Sequence, residues 1–257
     1  MSSQTTLQVS EKHSKRAIRI VRFSVWVLDH WIGLFSFSFG LLVFMPFLAP
    51  VLMHFGLVGP ADLIYFVYSF LCHQMSQRSF FLFGSHPMYN IAQLPIAMTG
   101  NESVDTLALR AFIGNSALGW KVAWSDRMVY MYGGIWLAGL LFKLMSQRNI
   151  KRLGIVGIVT LLMPMAIDGG THFLSDVTGG LTGGFRYNNQ WLSDLTQNVL
   201  PSWFYVGDAF GSFNAWMRLI SGLAFGFMFV WLAFPILKQN FQDTAQTLRE
   251  KLSTVAA

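Results

Sequence analysis

Four long apolar runs constrain this chain more than any other feature of its sequence. A helix needs about 20 apolar residues to cross the hydrocarbon core of a bilayer. The runs therefore predict an all-α, polytopic transmembrane helical bundle with spans at about residues 31–55, 128–145, 153–167 and 213–237. Only 12% of the residues are charged. This is about half the share in typical soluble domains, which also indicates a bilayer rather than water as the solvent.

The basic residues lie at the ends of these runs and predict the topology. Residues 1–30 form a basic flank. The loop at 143–152 contains basic residues and no acidic one: Lys143, Arg148, Lys151 and Arg152. Cytoplasmic loops are enriched in lysine and arginine, so both segments, and the less basic 239–257 tail, are predicted to be cytoplasmic. We therefore expect a multi-pass protein of the cell membrane with a cytoplasmic N-terminus.

The remaining composition limits the partners. The net charge is +6, but the basic residues lie beside the spans, where they set the membrane topology. The charge therefore does not indicate a nucleic-acid partner. The predicted partners are the lipid bilayer and, as an alternative that stays open, other membrane subunits. Cys72 is the only cysteine, which excludes an intramolecular disulfide.

The number of crossings between the two basic segments decides how the apolar stretch at 61–84 is interpreted. If the flank and the 143–152 loop share one side, an even number of crossings separates them, and the first two spans already supply two. The stretch is interrupted by polar residues, so it predicts a re-entrant or interfacial helix rather than a span. Segments 56–127 and 168–212 then form the outer side of a membrane domain at 31–238. The alternative is a true crossing here with another inside 91–123, which gives six spans.

Polar residues from several segments are predicted to meet at the outer side. Ionisable groups at membrane depth are costly, so they usually face a bundle interior or a wet cavity and find partners there. The predicted ligand-binding or structural cluster consists of Cys72, His73, Gln74, Arg78, Asp126, Arg127, Asp168, His172, Asn214 and Arg218.

Two hypotheses for this cluster involve no metal. In the first, the carboxylates of Asp126 and Asp168 pair with nearby arginines and lock the re-entrant element to the bundle. In the second, Arg78, Arg127 and Arg218 hold an anionic group. The second hypothesis predicts a transport-type protein, or a subunit of a membrane complex, that binds a small anionic molecule, lipid or ion in an outer-side polar pocket.

The third hypothesis is a metal-dependent or haem-dependent membrane enzyme that uses His73, His172 and Asp168, because two histidines with a carboxylate form a known metal-ligand set. The sequence contains neither a Gly-x-Ser-x-Gly elbow nor a His-Glu-x-x-His motif. Whether the protein is an enzyme therefore stays open, and the sequence assigns no cofactor.

Four motifs carry a family resemblance: CHQMSQRSFFLFG at 72–84, AWSDRMVYMYGG at 123–134, MPMAIDGGTH at 163–172 and NAWMRLISGLAFG at 214–226. In this order they resemble the family of prokaryotic integral membrane proteins with the domain of unknown function DUF2085. The resemblance implies no activity. Ser125 stands where such proteins often have Cys, and His172 where Gln is more usual, so no paired-Cys metal or redox site is implied. The implied signature positions are Cys72, His73, Gln74, Arg78, Arg127, Asp168, His172 and Arg218.

Overall fold

The computed structural model describes residues 2–145 and 150–256, with side chains over 16–145 and 150–254. The helices in these ranges are α1 (Ser2–His54), α2 (Val58–Ser69), α3 (Glu102–Ala111), α4 (Asp126–Met145), α5 (Ile155–Gly183), α6 (Phe185–Asn188), α7 (Gln190–Leu195), α8 (Ser202–Tyr205) and α9 (Phe213–Ala256). The strands are β1 (Ser79–Leu82), β2 (Gly114–Asn115) and β3 (Gly119–Ser125). Two 3₁₀ turns form at Ser76–Arg78 and Ile91–Gln93.

Four of the described helices, α1, α4, α5 and α9, are long and apolar enough to cross a membrane. Helices hold 73% of the residues, so the predicted all-α polytopic bundle is confirmed. Helix α9 packs against α1, α4 and α5 and is therefore central to the bundle. Gly226 of α9 lies so close to Gly134 of α4 that a Cβ on Gly226 would collide with the α4 main chain. Such close approach through small residues is typical of membrane helix pairs.

One end of the bundle holds both chain ends. Arg249 of α9 donates to Asp29 of α1, with Nη2 2.6 Å from Oδ2. Lys143, near the end of α4, extends its ammonium group beside Gly33 of α1. The basic flank, the end of α4 and the C-terminal tail thus share one end of the bundle, as an even number of crossings between them requires. Arg148 of the predicted basic loop lies outside the described residues.

The segment between α1 and α4 forms α2, α3 and a small sheet at the other end of the bundle. The sheet is antiparallel with strand order β1-β3-β2. Aromatic residues in β1 and β3 are typical of strands. Gly119 begins β3 with φ +77°, and any side chain there would collide with the Leu82 carbonyl of β1. This sheet was not predicted from the sequence.

The 61–84 stretch predicted that the Cys-His-Gln motif lies within a re-entrant helix, but the motif lies outside any helix. The short helix exists as α2, but it ends at Ser69, and Tyr68 donates to the Leu42 carbonyl of α1 at 2.9 Å. The chain then turns at Gln74, whose φ is +53°, and continues through a 3₁₀ turn into β1. The prediction failed for residues 70–84 because the pairing of β1 with β3 is a long-range contact that local hydropathy does not reveal.

Three helices extend beyond their predicted spans. Helix α5 continues past residue 167 to Gly183, with a main-chain kink at Gly180, where φ is +65°. Asp168 had suggested an end there, but its carboxylate is paired inside the bundle, so the helix has no reason to stop. Helix α1 begins before residue 31 and α9 continues beyond 237, because the polar flank and tail extend the same helices.

Candidate functional site

Four arginines and four aspartates of the described chain meet at the end of the bundle opposite the termini. Helix α5 supplies Asp168, His172 and Asp176 at four-residue spacing, which places them along one face. The other charged members are Arg78 from the 3₁₀ turn, Asp126 and Arg127 from the start of α4, Arg186 from α6, Asp208 from the segment before α9, and Arg218 from the second turn of α9.

Arg218 forms the buried centre of this network. Its Nε donates to Asp126 Oδ2 at 2.6 Å, its Nη1 to Asp208 Oδ1 at 2.6 Å, and its Nη2 to the Asp208 carbonyl at 2.8 Å. All three side chains are buried. Removing one partner of a buried ion pair costs about 3–5 kcal/mol. Arg218 therefore joins α9 both to α4 and to the chain that precedes α9.

Arg78 attaches the turn that follows the Cys-His-Gln motif to the same network. Its Nε donates to Asp208 Oδ2 at 2.9 Å, and its two terminal nitrogens donate to Asp176 at 3.1 and 3.2 Å. Burial alone would raise the pKa of Asp208, but the guanidinium groups of Arg78 and Arg218 outweigh burial and hold that pKa well below its ordinary value. Burial would lower the pKa of Arg78, but its two aspartates raise it instead. Both groups therefore remain charged.

Asp168 joins a second pair of arginines. Arg127 Nη2 lies 2.8 Å from its Oδ2, and Arg186 Nη2 lies 2.8 Å from its Oδ1. The Arg186 guanidinium also lies over the Phe213 ring, 5.3 Å from the centroid. Both carboxylate oxygens of Asp168 are thus engaged by cations, and α4, α5 and α6 are held together through one side chain.

His172 differs from its neighbours because its polar atoms are unpaired. The side chain is buried, and neither ring nitrogen has a hydrogen-bond partner among the described residues. Its Nε2 lies 3.9 Å from Asp168 Oδ1, which is too far for a hydrogen bond. Buried polar groups are paired in the great majority of cases, so the two unpaired ring nitrogens are an unusual feature of this part of the bundle.

A cavity of about 720 Å³ lies beside His172, a volume within the usual range for small-molecule sites. Its polar lining includes His73, Arg78, Arg110, Arg127, His172 and Asp176. Its apolar lining includes Phe70, Leu71, Met128, Phe173 and Leu181. The side chains of Phe70 and Phe173 are 75% and 72% exposed. The cavity therefore combines charged groups with an apolar rim.

The structure brings most of the sequence-predicted residues to this cavity. Cys72 lines it and accepts hydrogen bonds from the Gln74 and Ser125 amides at 3.3 and 3.4 Å. His73 is exposed and also lines it. The Gln74 side chain donates to the Tyr65 carbonyl at 2.9 Å, which positions the turn.

Asn214, a member of the predicted polar cluster, lies behind the surface of the cavity. It is fully buried and donates to the carbonyls of Arg186 and Gly207 at 2.6 and 3.0 Å. Its amide holds the segment between α5 and α9, and it does not line the cavity. It therefore supports the site without facing a ligand.

Six charged residues of the site region were missed from the sequence: Glu102, Arg110, Lys121, Asp176, Arg186 and Asp208. Asp176 could have been found, because it continues the four-residue spacing of Asp168 and His172. It was missed because the third span was predicted to end at residue 167. Arg186 and Asp208 resemble ordinary loop residues, and no sequence signal distinguishes them.

The predicted metal-ligand set gains no support from the geometry. The described residues contain no group of three or more His, Cys, Asp or Glu side chains placed to hold a metal ion. Asp168 already has arginines on both oxygens, and His73 is exposed. A metal or haem site at His73, His172 and Asp168 therefore remains an untested prediction.

The spans and the charged cavity together define a polytopic helical membrane protein with a polar site at one end of its bundle. Residues 115–232 match the model of the family described as predicted membrane protein (DUF2085), which confirms the family resemblance over that range. The matched range includes α4, α5 and the first half of α9, whereas the Cys-His-Gln motif precedes it. No curated protein and no solved structure matches the chain.

Proposed function

We propose that this protein binds the anionic head group of a membrane amphiphile in the charged cavity, as a binding or transport-type membrane protein. The observation that carries the proposal is the combination, in one cavity, of guanidinium groups with exposed apolar side chains. A soluble anion would need only the first feature. A lipid needs both, because its head and its chains are bound by different surfaces.

The apolar rim supports a lipid rather than a soluble ligand. Phe70 follows the end of α2, and Phe173 lies on α5 next to His172. Exposed apolar patches mark surfaces that contact membranes or other apolar partners. A lipid whose head enters the cavity would lay its chains along this rim.

The guanidinium groups support an anionic head. Arg127 is 21% exposed and makes one short hydrogen bond, to Asp168, while its other terminal nitrogen has only a 3.9 Å contact with Met165 sulfur. Arg110 donates one side-chain hydrogen bond, to the Ser69 carbonyl. Because each guanidinium has five N–H donors, both can still bind a phosphate or carboxylate.

The charge pattern supports a location in the outer leaflet. The basic flank at 1–30 and the basic loop at 143–152 favour a cytoplasmic position for the end that holds the termini. The cavity would then lie at the outer surface of the membrane.

Lipid binding can be measured by native mass spectrometry of the purified protein, equilibrated with equal amounts of anionic and zwitterionic phospholipid. We expect preferential retention of the anionic lipid. Loss of a hydrogen bond to a charged group costs about 1.5–3 kcal/mol, so Arg110→Gln and Arg127→Gln should each weaken retention about tenfold or more. Arg249→Gln removes an arginine at the other end and serves as the matched control.

Two results would contradict the proposal. One is equal retention of both lipids by the unchanged protein, and the other is equal anionic-lipid retention in the two cavity variants and the control. Inorganic phosphate, added as a competitor, separates a lipid site from a site for a soluble anion. Displacement of the lipid only by other lipids supports the proposal.

A further inference from the structure

We infer that the bound head group carries hydroxyl groups beside its phosphate, as a glycerol phosphate or sugar phosphate does. This inference rests on the proposed function and names the chemical class of its ligand. Three features of the cavity lead to it: an unpaired histidine, a partly exposed carboxylate on the same helix face, and an arginine that lies across that face.

His172 requires a partner that both donates and accepts. It is 5% exposed and has no carboxylate within hydrogen-bond distance, so it is buried in the neutral form. A neutral imidazole has one N–H donor and one acceptor nitrogen. A hydroxyl group can satisfy either nitrogen, because it can both donate and accept. A phosphate oxygen can only accept from it.

Asp176 provides an acceptor one helical turn from His172. Its side chain is 25% exposed, and Arg78 holds both of its oxygens. A carboxylate has about four lone-pair positions, so two remain for other donors. An anionic group would be repelled there, whereas a hydroxyl group would donate to it. This position therefore favours a hydroxylated part of the ligand.

Arg127 places a phosphate-binding group near the same face. A Cβ built on Gly169 would meet Arg127 Nη1 at 2.9 Å, so the guanidinium lies directly against α5 within one turn of His172. One helical turn rises about 5.4 Å, comparable to the separation of a phosphate and the hydroxyls of a glycerol unit. Anionic and hydroxyl groups of one head group can thus reach Arg127 and His172 together.

The charge balance of the network supports the same ligand class. The charged lining of the cavity itself consists of four arginines and three acidic residues, so its excess of positive charge is small: Arg78, Arg110, Arg127 and Arg218 face Glu102, Asp126 and Asp176. Selection must then come from hydrogen bonds in specific positions. A site built to bind a hydroxyl group discriminates strongly against an analogue that lacks it.

The test compares two lipids of equal charge. Phosphatidylglycerol has two hydroxyl groups on its head, whereas phosphatidylmethanol has the same phosphodiester without them. Native mass spectrometry of the full-length protein in micelles of a short-chain phosphatidylcholine, with each lipid added in turn, gives their apparent affinities. We expect the unchanged protein to prefer phosphatidylglycerol by about tenfold, the effect of one or two hydrogen bonds.

Variants at His172 assign the preference to that side chain. His172→Phe removes no hydrogen bond of the folded protein and should abolish the preference while phosphatidylmethanol binding persists. His172→Gln keeps one donor and one acceptor group and should restore part of it. His30→Phe replaces an exposed histidine at the other end and should change nothing.

The outcomes separate this inference from the proposed function. If neither anionic lipid binds, the proposed function fails. If both bind equally, or if His172→Phe keeps the preference, lipid binding stands and the hydroxyl inference is overturned. Glycerol phosphate added as a competitor distinguishes the source of the ligand. Its failure to displace phosphatidylglycerol supports a lipid head group, and its success would show a soluble polyol phosphate with the same chemistry.

Discussion

At the scale of single residues, Lys121 is the most unusual charge outside the cavity. It is fully buried in β3, and its ammonium group donates to the carbonyls of Gln74 and Arg110 at 2.8 and 2.6 Å. It therefore connects the Cys-His-Gln turn to the end of α3 through neutral acceptors. Burial lowers the pKa of Lys121 to about 7.

This lowered pKa predicts how stability depends on pH. The unfolded chain keeps the Lys121 proton up to about pH 10.5, whereas the folded protein releases it near pH 7. Between these values the unfolded state binds more protons, so the stability of the folded state rises with pH. The rise is at most about 1.4 kcal/mol per pH unit. Apparent melting temperatures between pH 7 and 10 measure it.

Lys121→Met should lose this part of the pH dependence, because the residue no longer titrates. Lys251→Met changes an exposed lysine of the C-terminal tail and should keep the pH dependence of the unchanged protein. The same slope in Lys121→Met as in the unchanged protein would show that Lys121 does not titrate in this range.

At the scale of elements, the contact between α4 and α9 is sensitive to small changes in side-chain size. A Cβ on Gly226 would meet the main chain of Gly134 and Ile135, so Gly226→Ala forces the two helices apart. Overpacking of this kind costs about 1–3 kcal/mol. Gly133→Ala is the matched control, because a Cβ there meets nothing within 4 Å. An unfolding titration in mixed detergents should show a lower free energy of unfolding for Gly226→Ala and an unchanged one for Gly133→Ala.

The elements also show how far sequence reasoning reaches. The four membrane helices are predictable because few structures other than a helix satisfy the main-chain hydrogen bonds of a long apolar run in a bilayer. The sheet is not, because β1 and β3 pair across a separation of about 40 residues and each is too short to show a clear period. The approach of Arg78 to Asp176 and Asp208 depends on that sheet and on the extension of α5. The partners of Arg78 could therefore not be named from the sequence.

At the scale of the whole molecule, the four crossings place the two ends of the bundle on opposite sides of the membrane. Ser85 and Ser116 are exposed at the cavity end, and Ser253 is exposed in the C-terminal tail. In a Cys72→Ala background, Ser85→Cys and Ser116→Cys should react with a membrane-impermeant thiol reagent on intact cells. Ser253→Cys should react only after permeabilisation. The reverse pattern would place the cavity in the cytoplasmic leaflet.

The position of Arg218 on the last helix has a consequence for biosynthesis. Chains are made from the N-terminus, so Asp126 enters the membrane with α4 well before its guanidinium partner exists. A nascent chain of three spans would hold this carboxylate without a cation, a state that membranes penalise. Completion of α9 removes the penalty in one step. A chain that ends before residue 218 would therefore leave Asp126 without the arginine that pairs with it in the folded protein.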